Sequence, residues 1–157
     1  MKRLLILGAG QYGFAAKEVA QAIGIYGSIE FLDDRNDIAV GKLNDIDKFE
    51  YDEAIVAIGN PDIRTQLLER IGKISTLIHP NAVISRSAHI GEGSIIEAGA
   101  VVCTDAKIGK GTIVMANAVV GHNAEVGACC QLKYNCTVSE NCVVPDRTKI
   151  DCNTVFG

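Results

Sequence analysis

The stretch that decides the fold is residues 112–132, TIVMANAVVGHNAEVGACCQL, in which a small residue and, two positions later, a large apolar residue recur every six residues. The pattern continues in both directions without a skipped residue. The large positions are Ile78, Ile84, Ile90, Ile96, Val102, Ile108, Val114, Val120, Val126, Leu132, Val138, Val144, Ile150 and Phe156. The small positions are Thr76, Ala82, Ala88, Ser94, Ala100, Ala106, Thr112, Ala118, Ala124, Cys130, Cys136, Cys142, Thr148 and Thr154.

A period of six fits neither the helical repeat nor the alternation of a strand. It is typical of a triangular solenoid, in which each hexapeptide forms one flat face and one corner, and three hexapeptides form a coil of about 18 residues. We therefore predict a parallel β-helix of a little over four coils, with both columns facing inward and no protruding loop. Glycine often follows the large residue, as at Gly109 and Gly121, and we expect it to supply positive φ angles at the corners.

The same repeat explains the positions of the cysteines. Residues 18 apart should stack in adjacent coils, at about the 4.8 Å strand spacing. No two of the six cysteines are 18 positions apart, and three of them, Cys130, Cys136 and Cys142, occupy the small position. We predict free, buried thiols of a reduced protein, with neither disulfides nor a metal site.

Charge and hydropathy exclude several classes of partner. A net charge of −4 gives no basis for nucleic-acid binding, which relies on clustered Lys and Arg. No apolar run approaches the roughly 18 residues that span a bilayer. Met1-Lys2-Arg3 and the four apolar residues after it are too short for a signal peptide. The expected protein is cytoplasmic and does not bind membranes.

Residues 1–75 have a different pattern, that of a doubly wound α/β fold. The predicted elements are a strand at Arg3–Leu7, a helix from about Phe14 to Ile23, a strand at Ser28–Leu32, a strand at Ala54–Ile58, and a helix to about Ile71 with Asn60 as N-cap and Pro61 in its first turn. The chain thus divides into an α/β half-Rossmann (βαβ) domain, residues 1–75, and a β-helix, residues 76–157.

The turn after the first strand, Gly8-Ala9-Gly10-Gln11-Tyr12-Gly13, matches G-x-G-x-x-G. With Asp33 about 20 positions later, this fingerprint is typical of NAD binding. Dinucleotide folds, however, use two such halves, and only one fits before the repeats begin. A single half can bind a nucleotide diphosphate at the helix N-terminus, which favours a nucleotide-sugar. An empty structural turn is the third possibility.

The whole chain resembles a known family. The order is the Gly-rich turn, Phe31-Leu32-Asp33-Asp34, Ile58-Gly59-Asn60-Pro61-Asp62-Ile63-Arg64, and Leu77-Ile78-His79-Pro80 opening the repeats. It is similar to the sugar O-acyltransferases of the sialic acid O-acetyltransferase type, which include nucleotide-sugar N-acetyltransferases acting on a 4-amino-sugar. The resemblance implies a left-handed β-helix, a homotrimer, acetyl-CoA in the groove between neighbouring helices, and a UDP- or CMP-linked sugar on the N-terminal domain.

The resemblance also implies roles for particular residues. A corner histidine, here His122, acts as general base, and imidazole suits removal of a proton from an attacking amine or hydroxyl at neutral pH. His79 and His89 lie away from that corner and are expected to be structural. The residues expected to bind the nucleotide-sugar are Gly10, Gln11, Tyr12, Asp33, Asp34, Gly59 and Asn60.

Several positions depart from the family pattern. Asn123 stands where an acidic residue usually orients the base, Tyr12 where a histidine touches the acceptor, and Gln131 where another histidine lies near the thioester. Ser139-Glu140 replaces a small residue and glycine in the groove, and relatives continue for several more hexapeptides. We expect either further residues after Gly157 or a reduced acetyl-CoA site, to which we assign Gln131 and Glu140.

Two functions remain open from these observations. One is an acetyl-CoA-dependent acetyltransferase acting on an amino or hydroxyl group of a nucleotide-linked sugar. The other is a catalytically weak, trimeric nucleotide-sugar-binding homologue. Glu140 bears on the choice because it follows His122 by 18 residues and should stand above it, with Thr104 below. Its carboxylate would either replace the charge that Asn123 lacks or obstruct the groove.

Overall fold

The computed structural model describes every residue from Met1 to Gly157. The N-terminal domain contains β1 (Lys2–Leu7), α1 (Gln11–Ile23), β2 (Tyr26–Leu32), a 3-10 helix (Leu43–Lys48), β3 (Glu53–Val56) and α2 (Pro61–Arg70). Its strands form a parallel sheet in the order β2-β1-β3. All the predicted elements are present. Helix α1 begins three residues earlier than predicted, because the last residues of the glycine fingerprint form its first turn, and β3 ends two residues earlier.

The remainder of the chain is a parallel β-helix of fourteen two-residue strands. They are Leu77–Ile78 (β4), Val83–Ile84 (β5), His89–Ile90 (β6), Ile95–Ile96 (β7), Val101–Val102 (β8), Lys107–Ile108 (β9), Ile113–Val114 (β10), Val119–Val120 (β11), Glu125–Val126 (β12), Gln131–Leu132 (β13), Thr137–Val138 (β14), Val143–Val144 (β15), Lys149–Ile150 (β16) and Val155–Phe156 (β17). Every strand ends on a predicted large residue, so the register and the absence of an interrupting loop are confirmed.

Three sheets form the faces of the β-helix. Sheet I contains β4, β7, β10, β13 and β16; sheet II contains β5, β8, β11, β14 and β17; sheet III contains β6, β9, β12 and β15. Strand partners are 18 residues apart, as Val120 and Val138 are. The large and small columns fill the interior, where Val120, Ala118 and Cys136 are fully buried. All six cysteines are free.

The role expected for the glycines was wrong. Positive φ angles occur two positions later, three residues after the large residue, at Gly93, Gly99, Asp105, Gly111, Asn117, Asn123, Cys129, Asn135, Asn141, Arg147 and Asn153. Gly109 directly follows a large residue and has no positive φ. A Cβ atom there would lie 2.4 Å from the carbonyl carbon of Gly127 in the next coil. Glycine at this position therefore permits close stacking of the coils.

Replacing Gly109 with alanine should lower the free energy of unfolding by about 1–3 kcal/mol, the usual cost of overpacking, because the coils would have to separate. Gly72→Ala is the matched control, since nothing lies within 4 Å of a Cβ atom there. That substitution should leave stability unchanged or slightly raised. Thermal unfolding measures both, and equal melting temperatures for the two variants would contradict the stacking explanation.

The N-terminal domain covers sheet I. The outward residues Leu77, Ile95 and Ile113 are buried in one apolar cluster with Ile6 of β1 and Val19 of α1. Burial of apolar surface on this scale fixes the domain against the β-helix. None of the helices has the length and apolar character of a membrane-spanning segment.

The other two faces differ in character. The outward column of sheet II is mostly apolar and consists of Val83, Val101, Val119, Thr137 and Val155, with Val83 61% and Val155 67% exposed. The outward column of sheet III is mostly charged or polar and consists of His89, Lys107, Glu125 and Val143, with an ion pair between Lys107 and Glu125. Sheet II therefore presents an uncovered apolar face.

Candidate functional site

The glycine turn brings α1 close to the sheet. Gly8 has a φ of +111°, which favours glycine, and a Cβ atom there would lie 2.5 Å from the carbonyl oxygen of Ala57. A Cβ atom at Gly13 would lie 2.0 Å from the carbonyl oxygen of Gly8. Larger residues at either position would push the helix away from β1. The turn holds the N-terminus of α1 at the carboxyl ends of the strands, where α/β folds bind ligands.

The N-terminus of α1 is open. Its N-cap is Gly10, which has no side chain to accept a hydrogen bond, and its first turn holds no acidic residue. The first N–H groups of a helix lack partners within the helix, and its dipole favours an anion at this end. A cleft of about 420 Å³ adjoins the turn and is lined by Ala9, Gly10, Asp33, Arg35, Asn36 and Asp37. The arrangement suits a phosphate or diphosphate.

Asp33 stabilises the glycine turn through hydrogen bonds. Its carboxylate accepts hydrogen bonds from the backbone N–H groups of Ala9 at 2.8 Å, Arg35 at 2.8 Å and Asn36 at 3.1 Å. Burial alone would raise the pKa of Asp33, but these donors outweigh it and hold the pKa below its usual range. Asn36, which the sequence reasoning missed, donates from its side chain to the carbonyl of Ala9 at 2.8 Å. The sequence feature that indicates this contact is an Asp followed three residues later by an Asn, a pattern typical of turns.

Asp34 has a different position from the one expected. Its side chain accepts from the N–H of Leu43 at 3.1 Å, and it does not line the cleft. The carbonyl oxygen of the Asn60 side chain is likewise occupied, because it accepts from the N–H groups of Asp62 and Ile63 as the predicted N-cap. Both residues shape the loops of the candidate site.

Tyr12 connects the turn to the β-helix. Its ring lies against Gly59, where a Cβ atom would come within 2.9 Å of Cε2. Its hydroxyl accepts a hydrogen bond from Nε2 of Gln131, on the outward side of β13. Two residues that the sequence assigned to different ligands, Tyr12 to the sugar and Gln131 to acetyl-CoA, therefore meet within one chain.

His122 lies on the corner that follows β11, at the edge of the apolar face of sheet II, and is exposed. The predicted stacking is present: the N–H of Asn123 donates to the carbonyl of Thr104, and the N–H of Asn141 donates to the carbonyl of His122, both at 2.9 Å. No side chain hydrogen-bonds the imidazole. Asn123, expected to orient it, donates from its amide to Asn141 at 3.0 Å instead.

Within one chain the two parts of the expected site remain apart. His122, Asn123 and Glu140 line none of the cavities, while Gln131 is buried beneath the N-terminal domain on sheet I. His79 accepts at Nδ1 from the N–H of Asn81 at 3.0 Å, as suits a structural residue. The structure holds no group of three or more His, Cys, Asp or Glu side chains placed to bind a metal ion.

Comparison with known proteins gives a match for each part of the chain. Residues 3–71 match the PglD N-terminal domain, and residues 105–140 match the bacterial transferase hexapeptide (six repeats). The acetyltransferase domain of PglB from Neisseria gonorrhoeae FA1090, solved with acetyl coenzyme A, superposes with a TM-score of 0.79 and 29% identity, covering 97% of each chain.

Two further proteins are similar in part or in fold. The UDP-N-acetylbacillosamine N-acetyltransferase of Bacillus subtilis (strain 168) is 50% identical over 48 residues, and the match spans 22% of that protein. PerB from Caulobacter crescentus, solved with CoA and GDP-perosamine, shares the fold, with a TM-score of 0.64 and 22% identity over 99% of this chain and 91% of PerB. The predicted fold class and the predicted family resemblance are confirmed.

Proposed function

We propose that this chain, which belongs to the hexapeptide-repeat sugar acetyltransferases, transfers an acetyl group from acetyl-CoA to an amino group of a nucleotide-linked sugar. The open N-terminus of α1, beside a cleft braced by Asp33, carries the proposal, because it suits a nucleotide diphosphate. The similarity to the acetyltransferase domain of PglB over the full chain supports acetyl-CoA as the co-substrate. Within this proposal, residues 1–75 bind the nucleotide-sugar and residues 76–157 carry the transfer.

The chemistry requires a base. An amine that attacks the thioester carbonyl must lose a proton, and the thiolate of CoA leaves. His122 is the residue proposed to accept that proton, since its ring is exposed and has no hydrogen-bond partner within the chain. Backbone N–H groups in the groove would stabilise the oxyanion. Gly10, Gln11 and Tyr12 hold the diphosphate and sugar in this scheme.

Acetyl transfer tests the proposal. Purified protein, acetyl-CoA and a UDP-4-amino-sugar should yield a product heavier by one acetyl group, detected by mass spectrometry. UDP-sugars with a hydroxyl group at the same carbon should give little product. Binding of the nucleotide-sugar without any transfer would instead support the catalytically weak homologue.

We propose further that the chain forms a homotrimer through the apolar face of sheet II. Sheet I is covered by the N-terminal domain and sheet III is charged, which leaves sheet II as the apolar face available to neighbouring copies. His122 borders this face and lies in no cavity of a single chain. A neighbouring copy would complete the groove around it, and closed cyclic symmetry is the usual outcome of such packing.

Replacing Val119 with lysine, in the middle of that face, should convert the trimer into monomers at micromolar concentration, because the charge would be buried between copies. Light scattering measures the change. Glu125→Arg on sheet III introduces a positive charge outside the proposed interface and should leave the trimer intact. A parent protein that is already monomeric would contradict the proposed assembly.

Glu140→Gly should increase the affinity for acetyl-CoA several-fold. Glu140 is exposed and has no hydrogen bond to His122, which favours obstruction of the groove over orientation of the base. Glu140→Gln keeps the bulk and removes the charge, so it separates steric from electrostatic obstruction in acetyl-CoA titrations. Loss of activity by tenfold or more in both variants would show instead that the carboxylate orients His122.

A further inference from the structure

A crevice runs between α1 and the corner of the β-helix that follows sheet I. It consists of two cavities of about 190 and 240 Å³ that share Ala15, Glu97 and Tyr134 as lining residues. Gln11 and Tyr12 line the first cavity, so the crevice begins at the open N-terminus of α1. Together the two cavities reach the size of ordinary small-molecule sites. A ligand whose phosphates lie at the helix N-terminus can extend into this crevice.

Glu97 is a buried carboxylate without a cationic partner. Only 8% of the residue is exposed, and Oε2 accepts from the N–H of Ala116 at 2.9 Å. No donor of the protein reaches Oε1. Burial raises the pKa of Glu97, which the Ala116 hydrogen bond only partly opposes. The one cation that lines the crevice, Lys133, is paired with Asp151 at 3.3 Å.

A second unpartnered acceptor lies behind Tyr12 and does not line the crevice. Gln131 is 2% exposed, and its amide nitrogen donates to Tyr12, which lines the first cavity. Its Oε1 atom is fully buried and has no hydrogen-bond partner. A buried acceptor without a donor is unfavourable. Glu97, by contrast, lines the crevice with an acceptor atom left unpaired, as residues kept for a ligand do.

The groups that line the crevice favour a cation. A carboxylate only accepts hydrogen bonds, and the rings of Tyr12 and Tyr134 attract cations. An ammonium group only donates and is positively charged, so it complements this set. A hydroxyl group supplies a single donor and no charge.

We propose that the crevice holds the sugar of the nucleotide-sugar and that Glu97 selects a sugar bearing an amino group. The inference rests on the proposed function for the identity of the ligand. Glu97 would hydrogen-bond the amino group through Oε1. Substrate preference is then set by a residue of the β-helix that lies outside both the glycine turn and the His122 corner.

Calorimetric titration without acetyl-CoA tests the inference. The probes are UDP and two UDP-sugars that differ only in carrying an amino or a hydroxyl group at one carbon. The parent should bind the amino-sugar about tenfold or more tightly than the hydroxyl-sugar, as a charge-assisted hydrogen bond provides. Glu97→Gln keeps the acceptor for Ala116, so the fold should persist. The Glu97→Gln variant should bind UDP with the affinity of the parent and lose the preference for the amino-sugar. Glu69→Gln, an equal change of charge on α2, should retain it.

The outcomes separate the inference from the proposed function. Equal affinity of the parent for the two sugars, or an unchanged preference in Glu97→Gln, overturns the inference even if acetyl transfer occurs. Absence of acetyl transfer in the parent, with the amino preference present and lost in Glu97→Gln, overturns the proposed activity and supports the inference. A parent that binds none of the UDP probes overturns the inference.

Discussion

Replacing His122 with alanine is expected to lower kcat for acetyl transfer by about 10²–10⁴-fold, the usual contribution of a general base. The KM values of both substrates should change little, because the imidazole acts on the proton that leaves in the transition state. The ring is exposed and makes no hydrogen bond within the chain, so the fold does not depend on it. Steady-state kinetics with acetyl-CoA and a UDP-4-amino-sugar measures the effect.

His89→Ala is the matched control for this substitution. His89 is also an exposed histidine of the β-helix, on the outward side of β6, but it lies on the charged sheet III. Its removal should leave kcat within about twofold of the parent, as expected for a residue outside the transition state. Full activity of His122→Ala would show that another group accepts the proton, and Glu97 would then be the first alternative to test.

The β-helix could be predicted from the sequence because each hexapeptide repeats the same local requirement. A large residue such as Val120 and a small residue such as Ala118 both face inward, and a one-residue shift would expose every one of them. The same register correctly placed Thr104 in the coil beside the His122 corner, where its carbonyl accepts from the N–H of Asn123. The start of α2 could be predicted for a similar reason, since Asn60 followed by Pro61 is a local signal of a helix start.

Contacts across the domain junction could not be predicted in this way. Tyr12 and Gln131 are separated by 119 positions, and their hydrogen bond depends on how the N-terminal domain docks on sheet I. The burial of Glu97 has the same origin, because an isolated β-helix would leave it on an exposed corner. The role of the glycine that follows the large residue could not be predicted from backbone preferences. At Gly109 it is the short distance to the adjacent coil, and not a positive φ angle, that excludes a larger residue.

Arg64 is the most consequential of these unforeseen contacts, and Arg64→Ala should lower the free energy of unfolding by at least about 4 kcal/mol. Its side chain is fully buried. The guanidinium donates to the carbonyls of Gly111 at 2.7 Å, Ile58 at 2.6 Å and Cys129 at 2.7 Å. Each buried acceptor left unpaired costs about 1–3 kcal/mol, and a cavity adds to that loss. Domains are stable by only about 5–15 kcal/mol, so thermal unfolding followed by circular dichroism should show a large decrease in melting temperature.

Arg70→Ala, on the same helix, is the control for this substitution. Arg70 is partly exposed and bonds to Asn44 and Asp47 at the surface, so its loss should cost no more than about 1 kcal/mol. Arg64→Lys retains a positive charge but has one nitrogen in place of the three that donate to carbonyls of both domains, so its stability should lie between those of the parent and Arg64→Ala. A melting temperature of Arg64→Ala equal to that of the parent would show that the carbonyls find other donors.

The position of Arg64 predicts that its substitution should also weaken ligand binding at the candidate site. Burial lowers the pKa of Arg64, and its hydrogen bonds all go to backbone carbonyls, so carbonyl dipoles from two domains balance its charge. The carbonyl of Ile58 and that of Gly59, which accepts from Arg64 at 3.3 Å, belong to the loop against which the Tyr12 ring lies. In Arg64→Lys the loop would lose part of this support. UDP-sugar affinity in that variant should therefore fall below that of Arg70→Lys, at a temperature where both variants remain folded.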